Sequence, residues 1–294
     1  MLSKKLEKIG NIHSDGRPIL GLDSRDLLEM MLDVSPRGIM IPAHIWTPHF
    51  SLFGAFSGFD TVEECFEDLT PYIYAMETGL SSDPSMNRRI SALDRFQLVS
   101  NSDAHSPSKL GREATLMEIE PSYQGMFEAI QKGKGLEGTI EFFPEEGEYH
   151  YDGHRKCQLC LTPEETIKYG GKCPVCGRKI TVGVEHRVMD LSDRNASEAA
   201  KKVGKFESLM PLLEVTAECL GYSSASKKVQ QKYEELLCDL GCEFDILRQI
   251  PLEDIKREAG EKFAEGIRRL RAGEVRRIPG YDGEYGSIKL FGTE

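Results

Sequence analysis

The sequence contains no apolar run long enough to cross a bilayer. Its longest apolar runs, such as residues 38–45, fall far below the ~20 residues that a membrane-spanning helix needs. The first ten residues are rich in lysine and have no apolar core, so they do not have the pattern of a secretion signal. We therefore predict a cytoplasmic protein that does not contact a membrane.

An excess of basic residues, typical of nucleic-acid-binding proteins, is also missing, because the formal net charge is -11. Residues 1–150 carry 13 Lys and Arg against 24 Asp and Glu, whereas residues 151–294 carry 24 of each. The acidic first half could hold divalent cations, which would invert the local field, and the second half has room for basic surfaces. An ordinary solvated acidic surface explains the same counts.

Disulfides are not needed, because 294 residues can bury a large hydrophobic core. Four of the eight cysteines form two CxxC pairs that are separated by twelve residues: Cys157, Cys160, Cys173 and Cys176. Four thiolates complete the tetrahedral shell of zinc and leave no open position, so this spacing predicts a structural zinc site. The alternative is a set of unrelated buried cysteines.

Helical and strand patterns alternate in the first half of the chain, which predicts an α/β fold with a largely parallel sheet, open or closed into a barrel. Strands are predicted at 38–43, 72–76, 97–100, 115–119 and 138–143, with helices at 61–69, 84–96 and 123–132 between them. A stretch rich in glycine and acidic residues at 144–153 marks a boundary. Later helices are predicted at 205–220, 227–240 and 252–271. The predicted domains are residues 1–150, the cysteine module at 151–190, and a helical region at 191–294.

Histidines and acids of the first half follow the predicted strands. His44 follows the first strand, Glu77 the next, and Asp103 and His105 the third. The C-terminal ends of parallel strands share one edge, so these groups could meet around metal ions that activate a water and neutralise a phosphate. Alone, His44 is more often a structural histidine and Glu77 a solvated strand end. The Asp-x-His pair favours the metal interpretation.

Cations flank the candidate ligands and are predicted to bind a substrate phosphate: Arg88, Arg89, Lys109 and Arg112. For any one of the four alone a solvated surface is the better explanation, and only the cluster as a whole favours phosphate binding. The predicted last helix is also locally basic, which favours contact with a phosphate backbone. A helix with a favourable positive C-terminal end explains the same pattern.

Several strings resemble endonuclease Q: PAHIWTPHFSLFG (42–54), METGLSSDP (76–84), SNSDAHSPSKLGREA (100–114) and PGYDGEYG (279–286), together with the cysteine pairs. The resemblance covers nearly the whole chain. It implies part of a distorted (βα) barrel of the polymerase-and-histidinol-phosphatase (PHP) type, followed by a zinc-ribbon-like module and a helical DNA-binding region. It also implies hydrolysis of DNA on the 5′ side of deaminated bases (uracil, hypoxanthine, xanthine) and of abasic sites, with such DNA as the partner.

The same resemblance implies a metal set of zinc, manganese or magnesium on His44, Glu77, Asp103 and His105, with Asp103 as the catalytic bridging ligand or base. PHP domains normally begin with a His-x-His pair, which this sequence lacks. We therefore expect the first part of the PHP domain to lie outside this chain, which would leave the chain inactive by itself. Two alternatives stay open: a small-molecule phosphoesterase of the PHP superfamily, and a non-catalytic zinc-dependent DNA-binding fragment.

Overall fold

A computed structural model of the protein describes residues 1–14, 18–56 and 58–292. Its helices are α1 (Leu2–Leu6), α2 (Ser24–Val34), α3 (Val62–Phe66), α4 (Pro84–Asn87), α5 (Tyr123–Lys132), α6 (Pro163–Lys168), α7 (Val184–Leu191), α8 (Ala196–Ala200), α9 (Leu212–Leu220), α10 (Lys227–Leu240), α11 (Glu243–Arg248), α12 (Leu252–Ala259) and α13 (Glu261–Ala272). Short 3₁₀ turns occupy Glu67–Tyr72, Ser91–Arg95, Pro107–Lys109, Pro144–Glu146 and Arg155–Cys157. Within the described residues, no helix has the length and apolar content that a membrane crossing requires.

The strands are β1 (Ala75–Glu77), β2 (Gln97–Val99), β3 (Ala114–Met117), β4 (Leu136–Glu141), β5 (Asp152–His154), β6 (Leu159–Leu161), β7 (Phe206–Ser208), β8 (Arg276–Ile278) and β9 (Ser287–Lys289). β1 and β2 pair in parallel, and β4 pairs antiparallel with β3 and parallel with β7. β5 with β6 and β8 with β9 form antiparallel pairs. The described residues therefore form a mixed α/β fold of small sheets, and a barrel stays a prediction.

The predicted first strand, residues 38–43, is wrong because the structure assigns no strand there. The segment runs beside β1, where Glu77 N donates to Pro42 O at 3.1 Å and Ile45 N donates to Glu77 O at 3.3 Å. Pro42 has no N–H to extend this pairing into a ladder. The segment nevertheless brings His44 next to the end of β1.

Four predicted helices are interrupted. Residues 61–69 form α3 and the start of a 3₁₀ turn, and residues 205–220 form the strand β7 followed by α9. Residues 84–96 form α4 and a separate 3₁₀ turn, and residues 252–271 divide into α12 and α13 at Gly260. Gly260 has φ 93° and ψ 170°, a conformation that is essentially restricted to glycine. The apolar spacing continues across this residue, which is why periodicity alone predicts one helix.

Two large apolar clusters hold the chain together. One packs Ile140 of β4 against the helices α9 to α13, with Leu212 and Ile267 fully buried. The other packs α2 and the loop around Trp46 against β1, β2 and Val188 of α7. The first cluster joins residues 1–150 to the helical region, and the second joins α7 to the first half. Both clusters thus cross the predicted domain boundaries, which themselves stay a prediction.

Candidate functional site

The ends of three strands lie at one edge. Glu77 ends β1 and lies beside Val99, the last residue of β2. The Thr78 hydroxyl donates to Glu141 Oε2 at 2.9 Å, which links the end of β1 to the end of β4. The Ser100 hydroxyl donates to Ile140 O at 2.9 Å and links β2 to β4 in the same way. The ends of β1 and β2 therefore meet as the sequence predicts, and the end of β4, which was not part of that prediction, joins them.

His44 and Glu77 are direct neighbours at this edge. His44 N donates to Glu77 Oε2 at 2.7 Å, and Asn101 Nδ2 donates to Glu77 Oε1 at 2.9 Å. These bonds hold the carboxylate, which is 8% exposed. A Cβ on Gly79 would lie 2.7 Å from His44 Cβ, so only glycine allows His44 to take this place.

Asp103 and His105 occupy an exposed loop after β2. Asp103 has φ 44°, which non-glycine residues rarely adopt. Two groups bind the loop backbone: His105 Nδ1 donates to Asp103 O at 2.8 Å, and Arg112 donates to both Ser102 O (2.8 Å) and Asp103 O (3.3 Å). His105 is therefore turned back onto its own loop.

A cleft of about 710 Å³ opens at this edge, lined by residues that include His44, Asp103, Lys109, Arg112, Glu146 and Tyr285. His44 and Asp103 share it, whereas Glu77 lies behind His44 and His105 is not among the lining residues. The donor types suit a divalent metal. Their placement does not complete a metal site, because the ligand atoms of these residues do not come together. In the described part of the chain, only the cysteine module has three or more such ligand atoms within 4.8 Å of one another. Metal binding by these four residues stays a prediction.

The four predicted phosphate-binding cations have different environments. Arg88 donates to Phe96 O and Leu93 O and is largely buried, and Arg89 pairs with Glu185. Both guanidinium groups are therefore bound to other groups of the protein, in contacts that hold the fold together. Lys109 and Arg112 line the cleft, and Arg112 also holds the Asp103 loop.

Sequence reasoning missed a group of buried acids behind and beside the cleft. Burial and then the neighbouring Glu141 raise the pKa of Glu113 to about 9, and burial raises the pKa of Glu141 to about 7. Burial and then Glu214 raise the pKa of Glu146 to about 8. One carboxylate oxygen of each of the three lacks a hydrogen-bond partner among the described residues. Glu141 ends β4 but lies inside the predicted strand 138–143, so the rule that selected Glu77, a polar residue directly after a predicted strand, did not find it.

The cysteine module gathers a different ligand set from the predicted one. One ligand atom each from His154, Cys157, Cys173 and Cys176 lies within 4.8 Å of all the others, and Cys176 Sγ is 3.8 Å from His154 Nδ1. One imidazole and three thiolates fit tetrahedral zinc. The module therefore contains a candidate metal site that is compatible with zinc, and His154 is a ligand that the sequence reasoning missed.

Cys160, which the sequence predicts as a zinc ligand, does not belong to this group of ligand atoms. In the β5–β6 pair His154 lies opposite Leu159, whereas Cys160 lies opposite Gly153. Successive strand residues point to opposite faces, so Cys160 and His154 face opposite sides. Tyr281 covers the side of Gly153, where an added Cβ would lie 2.3 Å from Tyr281 Cδ2. In this structure Cys160 therefore lies outside the group of ligand atoms.

The arginines of α13 are largely engaged within the protein. Arg268 and Arg269 pair with Glu265, and Arg268 also pairs with Glu274. Arg271 donates to Leu247 O, Ile246 O and Ile250 O. These contacts neutralise or bury the charge that made this helix a candidate for DNA binding, which stays a prediction.

Comparisons with known proteins agree with this architecture. A family model described as the MJ0043 C-terminal domain matches residues 211–274. The uncharacterized protein MJ0043 of Methanocaldococcus jannaschii is 33% identical over 253 residues, which cover 83% of this chain and 31% of that protein. The chain thus spans about a third of that relative. The uncharacterized protein YqxK of Bacillus subtilis is 28% identical over 291 residues, which cover 96% of this chain and 68% of that protein.

Two solved structures are similar over 98% of this chain. The crystal structure of the lesion-specific endonuclease PfuEndoQ from Pyrococcus furiosus has a TM-score of 0.87 and 30% identity, and the match covers 71% of its chain. The crystal structure of endonuclease Q in complex with a 27-mer duplex substrate, with an abasic lesion at the active site, has a TM-score of 0.83 and 31% identity, and the match covers 72% of its chain. The chain belongs to the endonuclease Q family.

Proposed function

We propose that this chain acts in DNA repair as a metal-dependent endonuclease that hydrolyses a phosphodiester on the 5′ side of a deaminated base or an abasic site. The observation that carries the proposal is the likeness, at a TM-score of 0.83, to endonuclease Q bound to duplex DNA with an abasic lesion at its active site. The cleft that contains His44 and Asp103 supports it, because these side chains are suited to phosphodiester hydrolysis.

The residues of the cleft have separate roles in this proposal. Asp103 would act as base or bridging ligand, and His44, Glu77 and His105 would have to turn toward it to hold a metal, because their present placement does not complete a site. The Glu77 carboxylate also fixes the backbone of His44, through the 2.7 Å bond from His44 N. Lys109 faces the cleft, where an ammonium group can bind a substrate phosphate. Arg112 holds the loop of Asp103.

Zinc, manganese or magnesium at this site would supply Lewis-acid stabilisation of the phosphate charge. A separate zinc ion, held by His154 and the three neighbouring cysteines, would stabilise the fold of the cysteine module. We further propose that residues 1–150 form part of a PHP-type barrel, that 151–190 form the zinc module, and that 191–294 form a helical region that contributes to DNA binding.

The test uses the purified chain, alone and with its upstream coding region restored, and duplex DNA that carries one uracil, hypoxanthine or abasic site, with manganese or magnesium present. Because this sequence has no His-x-His pair, nicking is expected of the extended form. We expect a nick on the 5′ side of the lesion, and we expect Asp103→Asn to slow nicking about 100-fold or more, because it removes a charged group at the reacting phosphate. Asp239→Asn is the matched control, because Asp239 is an exposed aspartate on α10. It should nick at the wild-type rate.

Three outcomes decide between the proposals. Nicking by Asp103→Asn at the wild-type rate would make the role of Asp103 wrong. Hydrolysis of a sugar phosphate with little salt dependence, and no nicking of DNA, would favour the small-molecule phosphoesterase, since DNA binding weakens steeply with salt. Binding of lesion DNA without nicking would favour the non-catalytic fragment.

A further inference from the structure

Basic residues are concentrated in the cysteine module. Residues 154–182 contain six Lys and Arg but only two Glu, in a chain whose net charge is -11. Four of these cations flank or follow the second cysteine pair, and we call them the basic knuckle: Lys168, Lys172, Arg178 and Lys179. All four are exposed. Among the described residues, none of the four lies in an ion pair, whereas the neighbouring Arg155 pairs with Glu284.

Two lysines of the basic knuckle lie directly opposite each other. Lys172 and Lys179 are partners in an isolated antiparallel bridge, so their side chains leave the backbone on the same side. Like charges in directly opposite positions destabilise a strand pair. An anionic ligand between or across the two ammonium groups would remove this repulsion.

The contrast with α13 indicates which basic surface is available to a partner. The guanidinium groups of Arg268 and Arg269 are bound to Glu265, and that of Arg271 is bound to backbone carbonyls. The cations of the basic knuckle have no such internal contacts in the described chain. A polyanion therefore gains more from the knuckle than from the helix, because it displaces only water and counterions.

We propose that the basic knuckle binds the phosphate backbone of a DNA duplex, independently of base sequence and of the lesion. This inference rests on the proposed function as a DNA endonuclease. The contact lies outside the cleft, since none of the four residues is among those that line it. Two backbone hydrogen bonds hold the turn that bears the cations: Cys173 N donates to Arg178 O at 2.8 Å, and Gly177 N donates to Cys173 O at 2.8 Å. Zinc on the neighbouring ligands would stiffen this turn further. A rigid array of cations matches regularly spaced phosphates.

The experiment measures the affinity of the zinc-loaded chain for an undamaged fluorescein-labelled duplex of about two helical turns over a range of salt concentrations. Loss of two phosphate contacts in Lys172→Gln/Lys179→Gln should lower the slope of log K against log salt by about two and weaken binding several-fold at low salt. The matched control is Lys201→Gln/Lys202→Gln, which removes two exposed lysines near α8. Its slope should stay at the wild-type value.

A single variant separates a binding role from a structural one. Lys179→Glu places a carboxylate opposite Lys172, so we expect the melting temperature to hold or rise. DNA affinity should fall about as far as in Lys172→Gln/Lys179→Gln, because both variants lower the charge of the basic knuckle by two. Zinc content, measured by elemental analysis, should stay at the wild-type value in each variant.

The inference is overturned while the proposed function stands if wild type nicks lesion DNA and Lys172→Gln/Lys179→Gln keeps its salt slope. A fall of equal size in the Lys201→Gln/Lys202→Gln control would also overturn it, because total charge rather than the knuckle would then set the affinity. The inference would also be overturned if polyglutamate competes for the basic knuckle while the salt slope of DNA binding is unchanged in Lys172→Gln/Lys179→Gln. That result would indicate an acidic protein partner. Failure of wild type to bind any duplex would overturn the proposed function itself.

Discussion

Arg112 donates to two carbonyls of the loop that carries Asp103, Ser102 O at 2.8 Å and Asp103 O at 3.3 Å. Because Asp103 has a positive φ, the loop needs support from outside to keep this conformation. Arg112→Lys retains the charge but loses the planar fork, so we expect turnover of lesion DNA to fall about 10–100-fold with DNA affinity nearly unchanged. Single-turnover rates and binding titrations on one lesion duplex would measure both quantities.

Arg257→Lys serves as the control for this change, because Arg257 is an exposed arginine of α12 that pairs with Asp254. It should leave both turnover and affinity at wild-type values. If Arg112→Lys instead keeps its turnover and loses affinity, Arg112 binds a substrate phosphate as the sequence pattern predicts. The two roles therefore give opposite results in the same pair of measurements.

At the scale of elements, the β5–β6 pair decides which side chains can reach the candidate metal site. His154 and Cys160 face opposite sides of this pair, so we expect Cys160→Ser to keep one structural zinc per chain and His154→Ala to lose it or bind it about 10-fold more weakly. Zinc content after dialysis against a chelator would measure this. Cys176→Ser should lose zinc under either ligand set and is the positive control. Loss of zinc by Cys160→Ser together with retention by His154→Ala would restore the four-cysteine site.

The same pair shows why sequence spacing could predict three of the four ligands of the module but not the fourth. The CxxC spacing of Cys173 and Cys176 depends on a local turn, and the structure brings both thiols together. The position of Cys160 depends instead on pairing with Gly153 and on the cover that Tyr281 provides from 121 residues further along the chain. His154 has no spacing signal of its own.

The strand ends likewise divide into features that could be predicted from the sequence and features that could not. A buried strand followed by a polar residue is a local pattern, so the convergence of Glu77 with the segment after β2 could be predicted from the sequence. Burial of Glu113 and Glu141 behind the cleft could not, because it arises from packing of β3 and β4 against β1 and β2 and against the helices. The direction of each side chain at the edge also depends on these long-range contacts, as the return of His105 onto its own loop illustrates.

At the scale of the whole molecule, Glu146 lies where the cleft, α9 and the segment before β9 meet. Its carbonyl accepts a hydrogen bond from Gly286 N at 3.1 Å, and the charges that act on its carboxyl are Glu214, Glu145, Lys109 and Lys289. Burial, and then Glu214 and Glu145, raise the pKa of Glu146 from 4.5 to about 8. The folded state thus holds this proton more tightly than the unfolded state does. The contribution of Glu146 to stability is complete below about pH 4.5 and is lost as the pH rises through about 8.

Replacing this carboxyl with a neutral amide removes the cost of ionising it inside the fold. We therefore expect Glu146→Gln to exceed wild type in free energy of unfolding by on the order of 1–2 kcal/mol at about pH 8, and to approach the wild-type value near about pH 5. Thermal unfolding at both pH values, without added manganese or magnesium, measures the difference. Glu120→Gln, which changes an exposed glutamate, should give no pH-dependent difference. A gain for Glu146→Gln that is equal at both pH values would show that packing, rather than ionisation of the buried carboxyl, stabilises the variant.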